Sequence, residues 1–172
     1  MVENYYDGIA SGYDALYGEE QQIKLQAIKR LLVNHNIQGK TLLDVGCGTG
    51  ISSDYFVDNF NCNVTGIDPS KGLIKQNNAN KSQLIVGGAE RLPFDNESFD
   101  VVVSVSAIQN FTNIKKGLAE ITRVGKDLFV LTFMSKGNVR SEEIEKHIEN
   151  TFTITEKVTA KNDTLFLAKK KN

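Results

Sequence analysis

TLLDVGCGTG, residues 41–50, is a short, largely apolar run that breaks into three glycines within its last five residues. Leu42, Leu43 and Val45 read as a buried strand, and the glycines read as the turn that ends it. Glycine permits a tight turn and lets a ligand approach the main chain closely. A helix starting just after the turn offers unpaired N–H groups to a carboxylate or phosphate. Asp44 stands at the end of the strand, and a carboxylate beside such a cradle suits an amino-acid moiety better than a pyrophosphate. Glycines by themselves fit a plain structural turn equally well, so the rest of the chain has to choose.

Outward from this stretch the chain alternates. Residues 63–67 (NVTGI) end at Asp68-Pro69, and residues 83–87 (QLIVG) end at a second glycine. Residues 99–105 (FDVVVSV) and 127–133 (DLFVLTF) are the most continuous apolar runs. Runs of this kind are expected in strands buried on both faces, as in a parallel sheet. Between them fall helical patterns at 50–60, 71–80 and 113–124. Ser70 is placed to cap the second, and Ile114, Leu118, Ile121 and Val124 form one face of the third. After residue 133 the rhythm changes to a polar helix at 141–150 and two strand-like runs, 151–158 and 163–169, with a turn expected at Asn162-Asp163. Before residue 41, Ile23, Ala27, Ile28, Leu31 and Leu32 form an apolar helical stripe. The predicted fold is therefore α/β: a doubly wound, mostly parallel seven-stranded sheet, helices on both faces, closed by an antiparallel hairpin. One domain, 1–172, is expected, with a helical cap over 1–40 and the sheet core over 41–172.

Bulk composition narrows the function classes. With 40% apolar and 24% charged residues the chain is an ordinary globular domain. A net charge of −1 announces neither nucleic acid nor membrane. Two cysteines are too few for a disulfide framework, and the scattered histidines and cysteines give no metal-ligand spacing. The first residues show no signal-peptide pattern and no stretch is a membrane-helix candidate, so a cytoplasmic setting is expected. In a doubly wound sheet ligands bind at the carboxyl ends of the strands. Asp68 follows the second strand, where an acidic side chain takes two ribose hydroxyls; the plain alternative is a solvated loop acid. The nicotinamide fingerprint G-x-G-x-x-G would need glycine where Ile51 stands.

With these residues in view the chain resembles a known family. LLDVGCGTG (42–50) resembles the first motif of the class I S-adenosylmethionine-dependent methyltransferases, and GIDPS (66–70) their second. GGAERLPFDNESFDVVVS (87–104) resembles the third stretch of the small-molecule-type group, and YYDGIASGYDALY (5–17) the tyrosine-rich opening that closes over the cofactor. The resemblance implies a Rossmann-like fold and S-adenosylmethionine as cofactor, with no metal. It implies that Asp44, Gly46 and Gly48 hold the methionine end, with Cys47 the small residue inside that turn. It further implies Asp68 on the ribose, Pro69, Ser70, Ala89 and Glu90 along the adenine, Ser104 near the methionine moiety and Tyr13 lining the cleft. Two positions depart from the family pattern. Gly88 stands where relatives often carry Asp, and Gln109-Asn110 where they often carry a histidine pair, so no histidine base is available there.

The implied activity is methyl transfer to an acceptor, with a small molecule favoured. An RNA or protein acceptor reached with a partner subunit, and a non-catalytic cofactor-binding scaffold, are the alternatives. A base is required only for an acceptor that keeps its proton at neutral pH. Tyr13, Asn110 and Asp7 are the candidates for a catalytic role, beside Tyr5, Tyr6 and Gln109. A small open domain leaves room for a homodimer or a partner subunit.

Overall fold

The computed structural model describes residues 13–77 and 80–171. Helix α1 (Tyr13–Leu32) leads into β1 (Thr41–Val45), α2 (Ile51–Phe60), β2 (Asn63–Asp68), α3 (Lys71–Ile74) and β3 (Gln83–Val86). The chain then crosses back to β4 (Phe99–Ser104), a 3-10 turn (Ile108–Asn110), α4 (Ile114–Val124), β5 (Gly125–Met134), α5 (Ser141–Thr151), β6 (Phe152–Ala160) and β7 (Asp163–Lys170). Sheet order is β3-β2-β1-β4-β5-β7-β6. The pairs from β3 to β5 are parallel, and β7 runs antiparallel to both β5 and β6. The strand order reverses between β1 and β4, which opens a crevice there.

Strand periodicity sends alternate side chains to two cores. Leu42, Val101, Val103 and Leu165 join α1 and α2 on one face; Leu43, Val102, Phe129 and Phe166 join α4 and α5 on the other. This is why the central strands β1, β4, β5 and β7 are apolar without alternation: both of their faces are covered. Each fully buried Leu or Phe contributes about 1.5–3 kcal/mol relative to exposure. Among the described residues no helix is long and apolar enough to cross a membrane.

Three boundaries depart from the sequence reading. The helix expected over 71–80 ends at Ile74. Beyond it the Asn77 carboxamide oxygen accepts from the Asn80 amide at 2.8 Å, and such side-chain bonds compete with helix continuation. Strand β5 begins earlier than expected, at Gly125, where the end of α4 passes directly into it. The hairpin turns at Lys161 and Asn162, with Lys161 in the left-handed region (φ 56), one residue ahead of the expected Asn-Asp pair.

Candidate functional site

A cavity of about 620 Å³ opens over the carboxyl ends of β1, β2, β3 and β4. The glycine turn forms its floor. Gly46 (φ 80) and Gly50 (φ 89) adopt left-handed conformations that L side chains rarely adopt. A Cβ on Gly46 would lie 2.3 Å from the Ala107 Cβ, and one on Gly50 would lie 2.2 Å from the Asn77 side chain. The turn's own N–H groups are largely spent. Gly46 and Cys47 donate to the Ile67 carbonyl at 2.8 and 3.2 Å, and Gly48 donates to Asp68 Oδ2 at 2.9 Å. The glycines therefore act mainly through shape: their missing side chains let Ala107, after β4, and Asn77 close on the turn, and they leave backbone facing the cavity.

Asp68 is the acid of this floor. It is buried, lines the cavity, and its Oδ1 accepts from the Ser70 amide at 2.8 Å. A carboxylate oxygen can accept from more than one donor. Ser70 caps α3, its Oγ accepting from the Leu73 amide at 3.1 Å. Pro69, Ala89 and Glu90 line the same wall, and Glu90 Oε1 accepts from the Asn113 amide at 3.1 Å. Of the predicted positions, Gly46, Cys47, Gly48, Asp68, Pro69, Ser70, Ala89, Glu90 and Asn110 meet in this one cavity.

Two predicted positions do not. Asp44 is fully buried and absent from the cavity wall. Its Oδ2 accepts from Ser52 Oγ at 2.6 Å and Ser53 Oγ at 2.7 Å, and its Oδ1 has no hydrogen-bond partner. Burial pushes its carboxyl up to about 6, partly offset by the two hydroxyls. Asp44 thus reaches the cavity through Ser52, which lines it. Ser104 is likewise enclosed within central strand β4, and the wall begins one residue later, at Val105. Cys47 lines the cavity, but burial, with Asp44 and Asp68 nearby, pushes its thiol well up, so it is a packing residue and not a nucleophile. Asp7 and the side chain of Tyr13 lie outside the described residues.

The structure adds residues that sequence motifs did not flag: Gln21 from α1, Ser106 and Thr112 from the loop after β4, and Arg140 from the start of α5. They come from separated segments and carry no shared spacing. The Gln109 carboxamide is engaged at both ends, donating to the Ser106 carbonyl and accepting from the Met134 amide. It braces the loop.

Known proteins align with this picture. A family model described as a methyltransferase domain matches residues 43–128. A protein of Methanocaldococcus jannaschii is 36% identical over 136 residues, covering 76% of this chain and 51% of that protein. The demethylmenaquinone methyltransferase of Renibacterium salmoninarum is 33% identical over 129 residues, covering 73% of this chain and 54% of that enzyme. The chain thus spans about half the length of these two relatives. In three dimensions it is similar to a Haloferax volcanii protein solved in complex with the Trm112 methyltransferase activator. The TM-score is 0.77 at 20% identity, over 97% of this chain and 98% of that one.

Proposed function

The chain belongs to the methyltransferase-domain family, and on that premise we propose that it transfers a methyl group from S-adenosylmethionine to a small-molecule acceptor. The observation that carries this reading is the pairing of the glycine floor with Asp68 at the point where strand order reverses. The chemistry of the wall fits the cofactor. Glycines 46 and 48 leave room for its amino-acid end, and the carboxylate of Asp68 suits two vicinal hydroxyls. Pro69, Ser70, Ala89 and Glu90 would border the base. Bound there, S-adenosylmethionine supplies an electrophilic methyl group open to in-line displacement.

The protein's contribution is positioning and shelter from water. Asn110 takes no proton at neutral pH, so its amide would orient an acceptor by hydrogen bonding. A small molecule is favoured by the modest cavity volume, by the near-zero net charge, and by the quinone-type substrate in the name of one relative. Calorimetric titration with S-adenosylhomocysteine tests the cofactor: Asp68→Ala should weaken binding about a hundredfold, as expected for loss of two charge-assisted hydrogen bonds. No measurable heat from the parent protein would sink the proposal. Binding without any methylated acceptor would favour the scaffold alternative.

A second reading, an activator-dependent enzyme acting on RNA or protein, is favoured by one observation. The Haloferax volcanii neighbour matches this chain over nearly its full extent and is held in a complex with an activator. Co-expression with such an activator, followed by size-exclusion chromatography, separates the two readings.

A further inference from the structure

A cluster of buried polar side chains stands beside the cavity and takes no part in the binding scheme above. Lys24, on α1, is only 4% exposed. Its ammonium lies 2.9 Å from Asp163 Oδ1 and 3.0 Å from Glu20 Oε1, and donates to Ser106 Oγ at 2.9 Å. Ser106 Oγ takes one of its protons, and the Asp163 and Glu20 carboxylates face the ammonium as ion-pair partners. Asp163 opens β7 and is fully buried. Its Oδ2 accepts from Ser106 Oγ at 2.5 Å and from Thr132 Oγ1 at 3.3 Å. The Ser106 amide in turn donates to Thr132 Oγ1 at 2.7 Å.

Ser106 is held in this way at both its hydroxyl and its amide, and its backbone is in the left-handed region, φ 54. A residue with a side chain stays there only when its surroundings enforce it. Glycine would be the undemanding choice at such a position, yet the chain carries serine, whose hydroxyl is what the cluster grips. Ser106 also lines the cavity. The residues after it form the wall: Ala107 against Gly46, then the 3-10 turn in which Asn110 and Phe111 donate to Ala107 and Ile108 carbonyls.

We propose that Lys24, Asp163 and Ser106 form one positioning unit, in which the buried ion pair keeps Ser106 in its left-handed turn and so holds the wall Val105–Thr112 in place. Lys24 belongs to α1 and Asp163 to β7, so docking of the cap helix and completion of the sheet are both transmitted to the cavity wall. None of the three is a catalytic residue; they act through the wall. The proposal draws on the cofactor reading for its ligand readout alone.

The test compares the whole chain with Ser106→Ala, Ser106→Gly and the double substitution Lys24→Met/Asp163→Asn. Alanine removes the hydroxyl and keeps the aversion to positive φ, whereas glycine removes both. Amide hydrogen exchange at Asn110 and Phe111 is measured beside calorimetric titration with S-adenosylhomocysteine, and a thermal melt establishes that each variant is folded. Exchange at both amides should accelerate about tenfold or more in Ser106→Ala and in the neutral double variant, and stay within about threefold of the parent in Ser106→Gly. Affinity should follow the same order. A Ser106→Ala protein that exchanges like the parent overturns the proposal, and so does a Ser106→Gly protein that exchanges as fast as Ser106→Ala. Should the parent take up no S-adenosylhomocysteine, the cofactor reading falls, and the exchange order by itself decides the positioning unit.

Discussion

Asp44 lies fully enclosed near the end of β1, and that enclosure has a thermodynamic sign. Its carboxyl titrates at about 6 in the folded chain against an ordinary 3.8. The folded state therefore holds a proton that the unfolded chain has released, so the contribution to stability is full below about pH 4 and is lost as pH rises to about 6. The difference is worth roughly 3 kcal/mol. Asp44→Asn removes this dependence. Urea unfolding at about pH 4.5 and 7.5 should show the variant gaining roughly 2 kcal/mol on the parent between the two; a constant gap would count against this account. Asp100 runs the opposite way. The Lys126 ammonium and Thr41 hold its carboxyl well below 3.8, so its contribution is present above that pH and lost on acidification beneath it. At Gly46 the prediction is steric. Gly46→Ala meets both a positive φ and the Ala107 Cβ, and should cost about 2 kcal/mol or more in a denaturation curve.

Among the elements, α4 does more than cover the sheet. Its buried face, Ile114, Leu118, Ile121 and Val124, was legible from spacing, and its cap is Asn113, whose side chain accepts from the Lys116 amide. What spacing could not convey is the use of its polar face. Arg123 donates to the Leu92 and Phe94 carbonyls and to both Glu120 oxygens, while Glu120 Oε2 accepts from the Leu92 amide. The stretch after Glu90 is thereby tied to α4, with Phe94 set edge-on against Phe99 at 4.9 Å. Arg123→Ala should cost about 2 kcal/mol and raise protease sensitivity between residues 91 and 98. Arg123→Lys should recover only part of the loss, because a single ammonium nitrogen lacks the planar spread of Nε, Nη1 and Nη2 that serves Glu120 and both carbonyls at once. Helix α3 marks the converse limit. Ser70 correctly announced its start, but after Ile74 the chain tightens into turns in which the Gln76 and Asn77 amides donate to the Leu73 and Ile74 carbonyls, a change that apolar periodicity does not register.

For the molecule as a whole, the order of elements followed from alternating apolar runs, because a sheet covered on both faces leaves a strong signature in its strands. The cavity floor followed almost as well, since its residues sit in two short contiguous stretches. The far wall did not. Lys24 and Ser106 are 82 residues apart, and a lysine in an otherwise amphipathic helix reads as solvated until its partners are seen. Saturation with S-adenosylhomocysteine at about 100 times its dissociation constant should add about 2.7 kcal/mol, raising the melting midpoint by about 5–10 °C; at the same concentration Asp68→Ala should cut that rise to about 1 °C. Sheet order has one more consequence, and it concerns time. β7 is inserted between β5 and β6, although both precede it in the chain. During synthesis β6 can therefore find no permanent neighbour, and the outer edge of β5 stays open, until β7 has been made. β7 also delivers Asp163. A nascent chain can close its glycine turn on Asp68 early, yet it cannot fasten Ser106 until this strand arrives. Assembly thus has a built-in order, in which the half of the pocket built on the glycine turn and Asp68 matures before the half that faces it.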